Sequence, residues 1–270
     1  MVKVSILSDE ISVDPVAACE IAAEWGLKHL EFRLWMQHRG PEGMSDGDMA
    51  NVRRAADDYG IDFPSISPGL FKLRLDDPAY AEHCGPFRER CYDLAEALGA
   101  GIVVLFPPLC ESYEFWYDWP ARVTADMAEA AEAAAKRGLV LALENEPACY
   151  GGSGPSLAKL VAEINHPNLK ANWDPGNHTS ATREDFRAGY EALKPYHVHT
   201  HVKDYTPAQA MAVPPGEGGV DWPGQLAALQ ADGYEGLLVL ETHFVPKIAG
   251  SKSCYQNLCR MLAEIGEEAE

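Results

Sequence analysis

The chain has 270 residues, 47% of them hydrophobic, and carries a formal net charge of -19. This length and apolar content suit one large core, and no apolar run approaches the roughly 20 residues that a membrane-spanning helix needs. The negative charge repels phosphate backbones and anionic lipid heads. Because no local basic patch offsets it, we expect neither nucleic-acid nor membrane binding.

The N-terminal residues lack the apolar stretch and cleavage site of a secretory signal, which predicts a cytoplasmic protein. Seven cysteines are present. An odd number without regular spacing, in a chain large enough to fold without crosslinks, predicts free thiols. The sequence does not fix the oligomeric state, and a homo-oligomer is compatible with it.

Short apolar runs rich in Val, Ile and Leu predict eight strands along the chain. They lie near residues 2–7, 29–34, 61–67, 102–106, 139–144, 169–174, 197–202 and 237–241. Helix-length segments separate them, and strands that alternate with helices run parallel in one sheet.

Start and stop signals place helices between these strands. The pair Asp14-Pro15 opens the first predicted helix and Gly26 ends it, while residues 45–60 begin with Ser and end with Gly. The Ala-rich residues 120–136 form the clearest predicted helix and lead directly into the fifth strand.

The predicted fold class is α/β, a single (β/α)8 TIM barrel over residues 1–270. Eight strand–helix units leave about 34 residues per unit, which fits a closed barrel with right-handed crossovers. A doubly wound open sheet is the alternative, and it usually carries a Gly-rich phosphate-binding turn after its first strand. Here residues 8–11 read Ser-Asp-Glu-Ile, which favours the barrel.

Four strands end in residues that could bind a metal ion. Side chains two apart share one face of a strand, so Glu144 follows Val140 and Ala142 into the barrel, with Asn172 one layer below Asp174. The same alternation places His197, His199 and His201 on one face of the seventh strand, and Leu237, Val239 and Glu241 on one face of the eighth.

Active sites of such barrels lie where the strands end, so we expect Glu144, Asp174, His201 and Glu241 to meet there. Unpaired burial of the carboxylates would cost several kcal/mol, and a shared cation accounts for all four residues together. Three carboxylates and one imidazole suit one divalent ion, Mn²⁺ or Mg²⁺ first and Co²⁺ or Zn²⁺ next.

Other polar and aromatic residues near the strand ends have less specific interpretations. His197 and His199, deeper in the barrel, are typical of hydrogen-bonded core histidines, and Glu146 of a loop or supporting residue. Trp116 lies in a long loop after the fourth strand; its ordinary role is packing, and as an aromatic rim it could cover a substrate.

Five short motifs resemble the xylose-isomerase-like barrel family of sugar phosphate isomerases and epimerases. They are Leu143-Glu144-Asn145, the run from Asn172 to Asn177, the run from His201 to Asp204, Gly216 to Gly218 before Asp221-Trp222, and Leu240-Glu241. Each motif is weak alone, but their order and spacing span the chain. The resemblance implies the same metal ligands, with Glu144 and Glu241 doubling as an acid/base pair.

The resemblance also bears on substrate contacts. Several epimerases of the family carry His three residues after the metal-binding Asp, whereas this chain has Asn177 there and His178 next. We expect Asn177, His178, Lys203 and Trp116 to contact a small sugar or polyol. The alternative for Lys203 is a salt bridge with a nearby carboxylate.

The first functional hypothesis is an isomerase or epimerase that acts on a small polyhydroxy ketone. A lyase that expels a β-substituent after the same proton abstraction is the main alternative, and sequence does not separate the two. Abasic-site cleavage, known from more distant relatives, needs more metal ligands and a basic surface, so the charge of -19 opposes it. A non-catalytic binding barrel remains a fourth hypothesis.

Overall fold

The computed structural model describes residues 2–33, 44–206 and 211–270. Eight parallel strands close into a barrel in the order β1-β10-β7-β6-β5-β4-β3-β2, and β8 and β9 form a separate antiparallel hairpin. The strands are β1 Lys3–Leu7, β2 His29–Phe32, β3 Asp62–Leu70, β4 Ile102–Leu105, β5 Val140–Glu144, β6 Leu169–Trp173, β7 His197–Val202, β8 Asp204–Thr206, β9 Met211–Val213 and β10 Leu237–Leu240. The predicted (β/α)8 barrel is confirmed.

Helices cover the outside of the barrel. They are α1 Ser8–Ile11, α2 Pro15–Trp25, α3 Asp46–Tyr59, α4 Tyr80–His83, α5 Pro86–Leu98, α6 Ala121–Ala135, α7 Gly154–Ile164, α8 Pro175–Thr182, α9 Phe186–Leu193, α10 Trp222–Ala231 and α11 Lys247–Glu264, with 3₁₀ turns at Tyr113–Tyr117 and Lys194–Tyr196. In the described part of the chain, no helix has both the length and the apolar character that crossing a bilayer requires.

Each of the eight predicted strands has a counterpart, although residue 34, the predicted end of the second, lies outside the described residues. The predicted helix signals also hold. Asp14 accepts a hydrogen bond from the Val16 amide at the start of α2, and Gly26 ends that helix with φ 87°. All seven cysteines lie within the described residues and none forms a disulfide, as predicted.

The barrel interior is apolar at some positions and polar at others. Leu7, Leu237 and Val239 form a small buried cluster inside it, separate from the larger core between strands and helices. At other inward positions lie buried groups such as Glu31 and Asn172. Their hydrogen bonds link one strand to another and hold side chains in position at the mouth of the barrel, where the strands end.

The seventh strand departs from simple alternation at its start. His197 pairs with Ala171 and His199 with Asn172, so the register shifts by one residue between them. The shift turns His197 outward, where its ring stacks on Tyr234 at a centroid distance of 4.5 Å and bonds the Thr200 hydroxyl. The prediction that all three histidines share one face is therefore correct for His199 and His201 and wrong for His197.

Candidate metal centre

The four predicted ligands meet at the carboxyl ends of neighbouring strands. Glu144 ends β5, Asp174 follows β6, His201 lies in β7 and Glu241 follows β10, and these four strands are adjacent in the barrel. One ligand atom from each residue lies within 4.8 Å of the others. All four residues are buried.

His201 is oriented by a carboxylate that the sequence analysis missed. Its Nε2 lies 2.9 Å from Oε1 of Glu31, whose Oε2 contacts His199 at 2.6 Å and accepts a hydrogen bond from Ser65. The Nδ1 of His201 has no hydrogen-bond partner among the described residues and lies 3.1 Å from Glu144 Oε2. A buried, unbonded ring nitrogen that faces carboxylates is what a metal ligand requires.

Two amide side chains hold the Glu144 carboxylate. Asn177 donates to Oε1 and Asn172 to Oε2, each at 3.0 Å. Oδ1 of Asp174 accepts a hydrogen bond from the backbone N–H of Asn177 at the start of α8, so Asp174 caps that helix. Its Oδ2 faces Lys203 at 2.9 Å.

Glu241 lies between two cations. Arg33 donates to its Oε1 at 2.7 Å, and Lys203 donates to its Oε2 at 3.0 Å. The same guanidinium donates to Asp9 and Glu10, also at 2.7 Å each. Arg33 therefore holds Glu241 by Oε1, and Oε2 of Glu241 is directed to the common centre.

Burial and charge set the protonation of this cluster. Burial acts to raise the pKa of Glu144 and Glu241, but His201 for the first and Lys203 for the second outweigh it, so both pKa values fall. Burial raises the pKa of Asp174 to about 7 despite Lys203. The pKa of His201 lies well above its ordinary value because Glu144 and Glu31 outweigh its burial.

This donor set fits a divalent cation. Three carboxylates and one imidazole converge, the imidazole Nδ1 has no hydrogen-bond partner among the described residues, and Lys203 and Arg33 balance part of the negative charge on the Glu241 side. Oxygen-rich sites of this kind suit Mn²⁺ or Mg²⁺. A cleft of about 550 Å³ opens beside it, lined in part by Glu146, Asn177 and His243.

The structure brings two of the four predicted substrate residues to the centre. Asn177 and Lys203 contact its carboxylates and line the cleft. His178 instead lies fully buried against Trp173 and α9, and its Nδ1 accepts from the Gly154 amide, so its predicted substrate contact has no support here.

Trp116 is likewise placed in packing. It is buried, and its indole donates to the carbonyl of Pro147 at 2.9 Å while its ring fills the space beside Gly152. It therefore supports the loop after β5. These contacts give no support to a role as a substrate cover.

Several supporting residues were absent from the sequence analysis. Glu31 and Arg33 alternate with apolar residues in and after β2, and a charge within a buried strand is the signal that could have found them. Glu146 was predicted as a loop or supporting residue, but its pairing with Lys72 at 2.7 Å, across two loops, had no comparable signal in the sequence.

Comparison with known proteins bears out the fold. The model of the xylose isomerase-like TIM barrel family matches residues 19–269. The chain belongs to this family. A search of curated proteins finds no significant match.

Solved structures of family members share the fold at low identity. The probable 3-DHS dehydratase AsbF of Bacillus anthracis has a TM-score of 0.75 at 19% identity, covering 95% of this chain and 98% of that one. D-allulose 3-epimerase of Methylomonas sp. has a TM-score of 0.77 at 17% identity, covering 97% and 98%. A xylose isomerase-like protein of Mycobacterium smegmatis in complex with magnesium has 0.73 at 20%, covering 92% and 88%.

Proposed function

We propose that this protein is a divalent-metal-dependent isomerase or epimerase of a small polyhydroxy ketone, with Glu144 and Glu241 as the acid/base pair. The observation that carries the proposal is the convergence of four buried ligand atoms at the barrel mouth, beside a cleft of sugar size. The epimerases among the structural neighbours support the reaction class.

The two glutamates approach the common centre from strands on either side of His201. Its Nδ1 lies 3.1 Å from Glu144 and 3.5 Å from Glu241. Both carboxylates have a lowered pKa and are ionised in the free protein, so either can accept a proton from the carbon next to a carbonyl. In the proposed reaction the other glutamate first takes up a proton from solvent and then donates it to the opposite face of that carbon, and the pair exchanges protons with solvent before the next turnover.

The surrounding residues keep this pair in position. Asn177 and Asn172 hold Glu144 with neutral donors, whereas Arg33 and Lys203 hold Glu241 with cations. When bound by the four ligands, a divalent ion supplies Lewis-acid stabilisation for negative charge that develops on the carbonyl oxygen. Lys203 lines the cleft and can donate to a substrate oxygen.

A lyase that uses the same first step is the second candidate, and the dehydratase among the structural neighbours supports it. Proton abstraction beside the carbonyl is common to both reactions, and only the fate of the β-substituent differs. An epimerase leaves the substrate mass unchanged, whereas a dehydratase product gains an enone absorbance.

The test is metal analysis of purified protein, followed by a panel of ketoses and keto-polyols in D₂O with Mn²⁺ or Mg²⁺. We expect metal-dependent deuterium incorporation next to the carbonyl in at least one compound, and its loss in Glu144→Gln. The absence of exchange and of elimination throughout the panel, with metal bound, would contradict an enzyme of this class and favour a binding barrel. The cytoplasmic location and the absence of a nucleic-acid partner stay predictions.

A further inference from the structure

A second lysine, Lys72, lies at the carboxyl end of the barrel strands on the side opposite Lys203. Lys72 follows β3 and Lys203 follows β7, and these strands lie four positions apart around the eight-stranded barrel. The Lys72 ammonium lies 2.7 Å from Glu146 Oε2 and 4.2 Å from the centroid of the Phe106 ring. Both charged side chains are largely buried, with 18% and 20% of their surfaces exposed.

The backbone that presents Lys72 is unusual. Phe71, the preceding residue, has φ 63°, a conformation that is rare for a bulky residue and carries strain. Its amide donates to Nδ1 of His83 at 2.7 Å, and its fully buried ring packs against Tyr80. A hydrogen bond from the Leu73 amide to the Phe71 carbonyl then forms a tight turn centred on Lys72.

Stability alone does not account for this arrangement. The attraction within a buried ion pair roughly offsets the cost of its desolvation. The pair therefore contributes little stability that could compensate for a strained backbone beside it. Strain that the surrounding structure holds in place is concentrated at ligand-binding sites. Glu146 also lines the mouth cleft, and Glu144 adds to the electrostatic attraction on Lys72. The pair therefore adjoins the region where the proposed reaction takes place.

We propose that Lys72 and Glu146 bind one hydroxyl group of the substrate, Lys72 as donor and Glu146 as acceptor. A hydroxyl donates one hydrogen bond and accepts others, so it satisfies both groups of an opposed pair. A phosphate or carboxylate would meet the Glu146 carboxylate and be repelled. The inference rests on the proposed function and narrows the substrate class to ketoses that carry a free hydroxyl at this position.

Titration calorimetry of the Mn²⁺-loaded protein with D-allulose, other free ketohexoses and ketohexose phosphates tests the pair. We expect Lys72→Met to bind the free ketohexose that wild type binds best at least tenfold more weakly. Its affinity for Mn²⁺ should stay within twofold of that of wild type. Glu146→Gln should narrow the preference for the free sugar over its phosphate. Lys159→Met is the matched control, because Lys159 is an exposed lysine on α7 that also lies over aromatic rings.

Three results would overturn the subsite: equal sugar affinity in Lys72→Met and wild type, tighter binding of the phosphates by wild type, or no ketohexose binding to wild type. If Lys72→Met does not fold, the Glu146→Gln comparison decides between subsite and loop ion pair, since a loop ion pair leaves the phosphate preference unchanged. Deuterium exchange is measured separately. Ketohexose binding that depends on Lys72 without any exchange would overturn the proposed reaction and leave the subsite standing.

Discussion

Three of the four candidate ligands have one polar atom held by a neighbour and another turned toward the common point, whereas Glu144 accepts a hydrogen bond at each of its oxygens. His201 uses Nε2 on Glu31, Asp174 uses Oδ1 on the start of α8, and Glu241 uses Oε1 on Arg33. Fixing the far atom of a ligand reduces the reorganisation needed when a cation binds. The side chains are therefore arranged before any ion arrives.

Replacing Glu144 with Gln tests its proposed role as a base. The amide preserves the shape and can still accept from Asn172 or Asn177, so the fold should persist while the rate falls by about 10²–10⁴ or more. Circular dichroism and kcat/KM on the substrate found in the D₂O panel provide the measurements. Turnover near that of wild type would contradict the assignment.

Replacing Lys203 with Met tests whether its ammonium competes with the metal. Lys203 contacts Asp174 Oδ2 and Glu241 Oε2, two oxygens of the ligand set, and its positive charge repels an incoming cation. We expect calorimetry to show that Mn²⁺ binds Lys203→Met at least about tenfold more tightly. The repulsion between an ammonium group and a cation held by the same carboxylates amounts to a few kcal/mol. Weaker binding would mean that Lys203 instead holds the carboxylates in place.

Among the secondary-structure elements, α8 is joined to the centre through its first residues. Asp174 is both the N-cap of this helix and a candidate ligand, and Asn177, in its first turn, donates to Glu144. The motif from Asn172 to Asn177 therefore encodes a helix start as well as part of the candidate metal site. Its two functions can be separated by substitution.

Asp174→Asn and Asp174→Ala form that comparison. Asn is as good an N-cap as Asp, whereas Ala removes the cap at about 1 kcal/mol. We expect both variants to lose metal affinity, and only Ala to lose the further stability of the helix start. Urea unfolding of the metal-free proteins, with calorimetric titration of Mn²⁺, measures the two effects. Equal stability of the two variants would argue against the capping role.

The irregular start of β7 gives a pH prediction. Burial, with a smaller effect of His199, lowers the pKa of His197 to about 3 from 6.5. The unfolded chain therefore takes up a proton below pH 6.5 that the folded chain does not, so this group lowers stability as pH falls from 6.5 toward 3.

In His197→Phe, which keeps an aromatic ring beside Tyr234, the loss of stability between pH 8 and pH 5 should shrink by up to about 2 kcal/mol. Urea unfolding at the two pH values measures it. The variant also loses the bond to Thr200 at every pH, so the slope and not the absolute stability is compared. An unchanged slope would show that His197 is not held neutral.

Sequence predicted the elements and the four ligands because both follow from local periodicity. A strand repeats every two residues, so an acidic or imidazole side chain at its end can be assigned to a face. The shift at His197 breaks that repeat without any marker in the sequence. The positive φ of Phe71 could not be predicted either, because Phe rarely adopts this conformation. The contact of Glu31 with His201 could be recognised only in the closed barrel, because it crosses the barrel interior between strands that are distant in sequence.

For the molecule as a whole, acid should reduce activity through the metal as well as through the bases. Without metal, the pKa of Asp174 is about 7 and that of His201 lies well above 6.5, so protons compete with the cation as pH falls through neutrality. At low Mn²⁺ we expect the acid limb of kcat/KM to be steep and to begin near pH 7.

Saturating Mn²⁺ should shift this limb to lower pH, because the bound cation holds the carboxylates ionised and the imidazole neutral. Profiles at two Mn²⁺ concentrations provide the measurement. A limb that reports one proton and does not move with Mn²⁺ would contradict the dual use of these residues as ligands and proton carriers.

The order of strands around the barrel has a consequence for how such a protein diverges. The four ligands occupy the contiguous strands β5, β6, β7 and β10, while Lys72 stands on the other side of the mouth. In the proposed reaction, one arc of the barrel supplies the metal ligands and the acid/base pair, and the proposed hydroxyl subsite lies on the facing arc. Substitutions on the facing arc are therefore expected to change which compound is preferred while the ligand set stays intact.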